Sequence, residues 1–229
     1  MPPEPLSLIP SPNQHLLASA EPAVRCRVSQ ECYCIYYSLA LGIADERTDE
    51  LVSRLVKWQW PDGGWNCDKN PAAVHSSFME SLIPMRALAL YARQTGDPAA
   101  RQSVERAAEI FLKRDLFKRR RDGAVMRPEF IALFYPYYWR YNILAGLKAM
   151  AEIGYIGDPR CQPALDLLET KRLPDGGFPA EMKYYRLTER QISGRSRFDW
   201  GGVHPHRMNE FISVEALYVL KASGRLSLS

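Results

Sequence analysis

Three side chains of the kinds that bind zinc lie close together in the first third of the sequence. Cys67 and Asp68 directly follow a Gly-Gly-Trp-Asn segment, and His75 comes seven residues after Asp68. One thiolate, one carboxylate and one imidazole supply three protein ligands and leave the fourth position of a zinc ion open. Two other interpretations fit the same residues. Asp68 and Asn66 can bond to the backbone of the turn while His75 caps a helix, or Asp68 and His75 can act in catalysis without a metal.

A second group of ionisable residues lies near the C-terminus, in a glycine-rich stretch before the last expected helix. His204 and His206 are two positions apart, and Glu210 follows them near the start of that helix. Histidine exchanges protons near neutral pH, and a carboxylate nearby can act as the base. In a ring of helices that all start at one end, His75, His204, His206 and Glu210 would share one rim as catalytic residues. The alternative is that His-Pro-His forms an ordinary surface turn.

Aromatic residues are concentrated where the apolar helices are expected to begin. The faces of such rings suit an apolar or a cationic ligand, and tyrosine hydroxyls suit contact with water or a polar group. We therefore predict a substrate-binding wall of rings and one amide, with the members Tyr37, Phe78, Tyr137, Tyr138, Trp139, Tyr141 and Asn142. The alternative is that these rings fill the core between helices.

The elements that carry these residues form a repeat of helical hairpins. The predicted apolar helices are Cys32–Ile43, His75–Gln94, Tyr138–Ile153 and Met208–Ala222. Amphipathic helices are predicted after Asp45, Asp97 and Asp158, because aspartate is a favourable N-cap. An apolar helix is surrounded by protein and an amphipathic helix meets water, so the alternation predicts two layers of helices around a hollow. No segment has a convincing strand pattern.

Two of the hairpins share the turn Pro-Asp-Gly-Gly-aromatic, at residues 61–65 and 174–178. The longer sequence Gln-Trp-Pro-Asp-Gly-Gly-Trp at 59–65 resembles the Q-x-x-D-G-x-W element of the terpenoid cyclase and protein prenyltransferase superfamily. The segments 62–68, 75–78, 111–118 and 135–139 resemble bacterial proteins with prenyltransferase and squalene-oxidase repeats. The resemblance covers residues 30–222.

The resemblance implies an all-α fold, the α/α toroid, with inner apolar and outer amphipathic helices. Residues 1–20 are then a proline-rich N-terminal arm, and residues 21–229 form a single toroid domain. The chain has fewer hairpins than the toroids of the superfamily commonly have. We therefore expect a small or incomplete ring, which a homodimer could complete.

The resemblance also implies an enzyme that acts on a hydrophobic, isoprenoid-like small molecule held in the central cavity. Protein prenyltransferases hold zinc with an aspartate, a cysteine and a histidine, and His75 resembles that histidine in its place at the start of an inner helix. The D-x-D-D and D-D-x-x-D motifs of the cyclases do not occur in this sequence, which disfavours a standard cyclase mechanism. Whether the chain is catalytic stays open. The alternative is a non-catalytic helical repeat module that binds a ligand or a protein.

Composition limits the remaining classes. Of 229 residues 46% are hydrophobic and the net charge is +4, which is typical of a globular protein that binds no nucleic acid. The basic run at residues 118–121 is interpreted as a solvated loop. No apolar stretch approaches the roughly 18 residues of a transmembrane segment, and the N-terminus does not resemble a secretory signal. Five cysteines without a C-x-x-C pair fit a reducing compartment, so a cytoplasmic location is expected.

Overall fold

The computed structural model describes residues 32–67, 73–138, 140–189 and 195–226. The predicted arm at 1–20 and the predicted site residues Asp68 and Trp139 lie outside these ranges. Helices dominate the described part of the chain, so the mostly-α class is confirmed. The helices are α1 (residues 32–40), α2 (Glu46–Lys57), α3 (Phe78–Thr95), α4 (Pro98–Leu112), α5 (Pro128–Ile131), α6 (Ile143–Glu152), α7 (Gln162–Glu169) and α8 (Glu210–Ala222).

Four short strands lie between α7 and α8. They are β1 (Pro179–Ala180), β2 (Arg186–Leu187), β3 (Arg195–Ser196) and β4 (His204–Met208). β1 pairs with β4 in antiparallel orientation, and β2 pairs with β3 in parallel orientation. The expectation that the chain has no strand is therefore wrong in this region. β4 is exposed along its whole length, so it lacks the apolar alternation by which a sequence reveals a strand.

The predicted aspartate caps are confirmed at the starts of the amphipathic segments. Asp45 accepts a hydrogen bond from the backbone N–H of Arg47 and completes a capping box with Thr48. Asp97 accepts from Ala100 N–H at 2.6 Å before α4. Asp158 caps a short 3₁₀ turn, Pro159–Cys161, that leads directly into α7. These caps satisfy backbone donors that a helix start otherwise leaves unpaired.

Three apolar helices begin later than the sequence predicted. α3 begins at Phe78 rather than at His75, because the N–H of its N-cap Ser77 donates to the carbonyl of Trp65. α6 and α8 begin after Asn142 and Asn209, whose side chains accept hydrogen bonds from backbone N–H groups in the first turn. The residues before the caps of α3 and α6 consequently form loops, and five of the predicted site residues lie there: Cys67, His75, Tyr137, Tyr138 and Tyr141.

The Gly-Gly turn that follows α2 holds α2 against α4. The side chain of Gln59 donates to the carbonyl oxygens of Gly63 and Ser103, both at 2.7 Å. The buried Trp65 donates its indole N–H to the carbonyl of Leu55 at 3.0 Å. Gly63 has φ of +105°, and a Cβ there would lie 2.6 Å from a backbone carbonyl of α4. The residues of the Q-x-x-D-G-x-W element therefore act in packing α2 against α4.

The helices predicted as the inner layer run in the same direction. At their C-terminal ends the Gln94 side chain donates to the Leu39 carbonyl at 3.3 Å, which aligns α3 with α1. Arg93 likewise donates to the Glu152 carbonyl at 2.7 Å, which aligns α3 with α6.

α6 and α8 are aligned by an ion pair near their centres. Lys148 and Glu215 lie in their second turns, at the same distance along the chain from the caps Asn142 and Asn209, and the two side chains meet at 2.6 Å. Tyr135, in the loop before α6, stacks on Phe211 in the first turn of α8 with ring centres 5.2 Å apart, so the N-terminal ends of both helices lie at the same end of the protein.

Candidate functional site

A half-open cavity of about 700 Å³ lies between the helices that the sequence predicted as inner. α1, α3, α6 and α8 each contribute side chains to its wall, and the loop before α6 closes one side. The apolar part of the wall consists of Met79, Leu82, Ile83, Pro136 and Ala145. This volume is within the range of roughly 300–1,000 Å³ that small-molecule sites have. The cavity is therefore large enough for an organic ligand.

Tyrosines form a second part of the wall. They are Tyr33, Tyr37, Tyr135, Tyr137 and Tyr138. The rings of Tyr33 and Tyr37 stack on α1 with their centres 6.3 Å apart, and the Tyr33 hydroxyl donates to the Tyr138 carbonyl. Tyr138 has φ of +49°, a backbone conformation that bulky residues seldom adopt. Residues with this conformation cluster at functional sites. Of the predicted wall residues, Tyr37, Tyr137 and Tyr138 thus lie on the cavity.

Phe78, Tyr141 and Asn142 do not line the cavity. Phe78 and Tyr141 pack edge to face with ring centres 5.0 Å apart, inside a cluster that also contains Phe111 and Phe130. Burial raises the pKa of the Tyr141 hydroxyl well above its usual value, and that hydroxyl donates to the Leu116 carbonyl.

The amide of Asn142 is also used within the protein. Its oxygen accepts from Ala145 N–H at 2.9 Å, and its nitrogen donates to the Ala132 carbonyl at 3.1 Å. Core packing and helix capping therefore account for these three residues. Tyr141 lies before the late start of α6, and its side chain is consequently in the core.

A charged group stands in the apolar wall where α6 faces α8. Glu215 accepts hydrogen bonds from the Lys148 ammonium, at 2.6 Å, and from the Tyr137 hydroxyl. The exposed fractions of the lysine and glutamate side chains are 26% and 14%, so both are partly shielded from water. Burial, and then the negative charge of Glu215, raise the pKa of Tyr137 well above its usual value. The phenol therefore stays protonated and the carboxylate stays between two donors.

A second ion pair stands at the middle of α3. Arg86 contacts both carboxylate oxygens of Glu152, at 2.5 and 2.8 Å, and its guanidinium lies 4.8 Å from the centre of the Tyr36 ring. Burial lowers the pKa of Arg86, but the paired carboxylate outweighs burial and the net change is upward. Arg86 also lines the cavity. Fixed charges that are already paired can orient a polar group of a ligand without leaving a bare charge in the wall.

Cys67 is placed near the cavity by Glu80, a wall residue in the first turn of α3. The Glu80 carboxylate accepts from the backbone N–H of Cys67 at 3.0 Å and contacts its thiol. His75 is exposed, and its carbonyl accepts from the Asn66 side chain at 2.7 Å. Within the described ranges, no group of three or more His, Cys, Asp and Glu side chains could hold a metal ion. Cys67 and His75 are the two described members of the predicted zinc site, and by themselves they do not fit a zinc centre. The third member, Asp68, lies outside the described residues.

The four residues of the predicted histidine rim lie at the surface and not on the cavity. His204 and His206 lie on β4 and Glu210 lies at the start of α8, and all three side chains are exposed. Neither these residues nor His75 line the cavity. His204 instead accepts, through Nδ1, from the backbone N–H of His206 at 3.2 Å. Pairing of β4 with β1 fixes this segment at the surface, which the sequence did not reveal.

Sequence reasoning missed Arg86, Lys148 and Glu215, which supply charge to the cavity wall. One signal was available for them. Each lies within a helix that the sequence predicted as apolar and inner, and a charged residue at such a place requires a partner or a hollow.

No protein-family model, curated protein or solved structure matches the chain. Among the described helices, none combines the length and the hydrophobicity that crossing a membrane requires. The geometry of the cavity therefore carries the functional argument.

Proposed function

We propose that the protein is a small or incomplete α/α toroid that binds a hydrophobic, isoprenoid-like molecule in its cavity. The observation that carries the proposal is the cavity of about 700 Å³, with tyrosine and aliphatic walls, between four helices of common direction. The alternation of apolar and amphipathic helices supports the toroid, as does the resemblance of residues 59–65 to the terpenoid cyclase and prenyltransferase superfamily. Aromatic and aliphatic walls favour a ligand with a large apolar surface.

We further propose that the protein is an enzyme, and that Glu215 is the catalytic residue. Glu215 is a carboxylate on the cavity wall, and the Lys148 ammonium lies 2.6 Å from it. A bound substrate that loses a proton can deliver it to the carboxylate, while Tyr137 and Lys148 hold that group in place. The reaction class that follows is isomerisation of an isoprenoid-like substrate, in which Glu215 takes a proton from one carbon and returns it to another, so that a double bond moves. A non-catalytic ligand carrier is the alternative, because the same wall binds a molecule without changing it.

Filling the cavity tests the binding part of the proposal. Ile83 lines the cavity and is almost fully buried, so Ile83→Trp should place a ring in the ligand's volume. The matched control is Ile43→Trp, because the Ile43 side chain is exposed and is not part of the cavity wall. With farnesol as the probe in isothermal titration calorimetry, we expect Ile83→Trp to weaken binding about tenfold or more, which corresponds to about 1.4 kcal/mol. The control should bind as the wild type does.

Two results would overturn the binding proposal. One is wild-type protein that does not bind farnesol, and the other is equal affinity for both tryptophan variants when both melt cooperatively.

The catalytic part has its own test, which is Glu215→Gln. This variant should retain farnesol binding within a few-fold and lose isomerisation of isoprenoid alcohols and aldehydes, as followed by gas chromatography. Unchanged product formation would remove Glu215 from catalysis, and no conversion by the wild type would favour the carrier.

A further inference from the structure

Exposed apolar side chains are concentrated in one part of the described chain. Twelve large hydrophobic side chains are exposed among the described residues, and seven of them lie between residues 187 and 218. Phe198 and Val214 are the most exposed of the seven, at 70% and 69%. Single exposed apolar residues need no explanation, but a contiguous group marks an interaction surface.

Rings in this region touch one another and reach the cavity. Phe198 packs on Trp200 with ring centres 6.0 Å apart, and Trp200 packs on Phe211 at 5.1 Å. Phe211 stacks on Tyr135 at 5.2 Å, and Tyr135 is part of the cavity wall. We call these four residues, Tyr135, Phe198, Trp200 and Phe211, the aromatic rim. The rim forms a continuous path of rings from the cavity to the surface.

Hydrogen bonds hold the rim in its exposed position. The Trp200 indole donates to the Ser196 hydroxyl at 2.9 Å, and the Trp200 carbonyl accepts from the Asn209 side chain at 2.6 Å. Tyr185 adds a third tie, because its hydroxyl accepts from Trp200 N–H at 3.0 Å. These hydrogen bonds hold the loop against α8 and fix the position of the Trp200 ring.

The segment that carries Phe198 and Trp200 has a positive net charge. The segment 183–210 contains six Lys and Arg residues against three Asp and Glu residues, whereas the whole chain has a net charge of only +4. Lys183, Arg186, Arg197 and Arg207 are exposed in the structure. The segment that carries Phe198 and Trp200 therefore accounts for most of the excess positive charge of the chain.

We propose that the aromatic rim docks on the surface of a bilayer that contains anionic phospholipid. Aromatic rings insert at the level of the lipid headgroups, and basic side chains around them are attracted to the negative surface. Docking would point the cavity toward a phase in which apolar molecules dissolve. Only this last consequence rests on the proposed function, since docking itself does not require a ligand.

Co-sedimentation of the full chain with vesicles tests the proposal. The vesicles are either phosphatidylcholine alone or an equimolar mixture of phosphatidylcholine and phosphatidylglycerol. We expect binding to the mixed vesicles that weakens as salt is added, and little binding to phosphatidylcholine. Phe198→Ser should weaken binding to the mixed vesicles about tenfold, because the burial of one phenylalanine is lost. Arg197→Gln should weaken it about fivefold.

Matched variants control for general effects of each substitution. Ile43→Ser removes an apolar side chain that is 67% exposed, nearly as much as that of Phe198. Arg121→Gln removes one positive charge from the basic loop at 118–121. Both controls should bind as the wild type does.

Three results would overturn the proposal. The first is that the wild-type protein stays in the supernatant with both kinds of vesicle, and the second is that the control variants weaken binding as much as the rim variants do. The third is that vesicle binding is absent and Phe198→Ser abolishes a homodimer in analytical ultracentrifugation. The last result would make the rim an interface between two copies of the chain. Farnesol titration without vesicles remains a separate measurement, so failure of docking and failure of ligand binding are distinguishable.

Discussion

Gly146→Ala should destabilise the protein, although the same exchange stabilises most helices. Gly146 is buried in α6, and a Cβ at this position would lie 2.2 Å from the Tyr141 hydroxyl oxygen. That hydroxyl donates to the buried Leu116 carbonyl at 2.7 Å. The ring cannot move away easily, because Phe78 and Phe130 pack against it with ring centres 5.0 and 4.8 Å away.

The size of the effect follows from three contributions. Overpacking of a tight core costs about 1–3 kcal/mol. Loss of the Tyr141 hydrogen bond leaves a buried carbonyl unpaired, which costs about 1–3 kcal/mol. The higher helix propensity of alanine returns about 1 kcal/mol. We therefore expect Gly146→Ala to lower the free energy of unfolding by about 3 kcal/mol.

Urea unfolding followed by circular dichroism measures this change. Gly157→Ala is the control, since a Cβ at residue 157 meets nothing within 4 Å, and it should change stability by less than about 0.5 kcal/mol. Tyr141→Phe removes the clashing oxygen and leaves the ring carbon Cζ, 2.9 Å from the added Cβ, as the nearest atom. Gly146→Ala should therefore cost less in the Tyr141→Phe background than in the wild type.

A Gly146→Ala variant as stable as the wild type would refute this reasoning, and so would an equal cost in both backgrounds. The same variants separate the two interpretations of Tyr141. As a core residue, Tyr141 should affect stability alone, so Tyr141→Phe should bind farnesol with the wild-type affinity. Weaker binding by a stably folded Tyr141→Phe would restore this residue to the substrate-binding wall.

Two further predictions concern groups away from the cavity. The Cys34 thiol is exposed, whereas burial raises the pKa of the Cys161 thiol to about 12, so iodoacetamide should modify Cys34 in the native protein and Cys161 only after unfolding; peptide mass spectrometry that finds equal rates would contradict the burial of Cys161. Arg160 lowers the pKa of both Asp158 and Glu109, which adds stability above the unfolded carboxyl pKa of about 4 and loses it as the pH falls through the lowered values. Arg160→Gln should therefore cost about 1 kcal/mol at neutral pH, given the partial exposure of the pairs, and almost nothing at about pH 2; a cost that does not change with pH in urea titrations would argue against ion pairing.

Local signals in the sequence predicted most of the helical layout. Asp45 and Asp97 are found as N-caps, and the turn at 61–65 packs as its repeated glycines suggest. These features depend on residues that are near each other in the chain. Backbone geometry and hydrogen bonding over a few residues are enough to specify them.

Contacts over long sequence distances account for what the sequence did not predict. The start of α3 is set by Ser77 and Trp65, across the intervening loop, and β4 exists because it pairs with β1 on the far side of residues 181–203. Predictions that placed side chains by periodicity therefore failed first at helix starts. His75 and Tyr141 both precede the observed first residue of their helices, and they turn respectively to solvent and to the core.

The charged residues of the apolar helices indicate a ligand site better than the histidines do. Lys148 and Glu215 are 67 residues apart, and Arg86 and Glu152 are 66 residues apart, so no motif of fixed spacing could join either pair. Their position in apolar helices is nevertheless visible in the sequence. A charge that cannot reach water directly must be paired, and pairing inside a layer of helices requires space that a packed core does not offer. Histidines in polar loops meet no such requirement, because water can solvate them. Where apolar and amphipathic helices alternate, an acidic and a basic residue on different apolar helices therefore indicate the wall of a cavity.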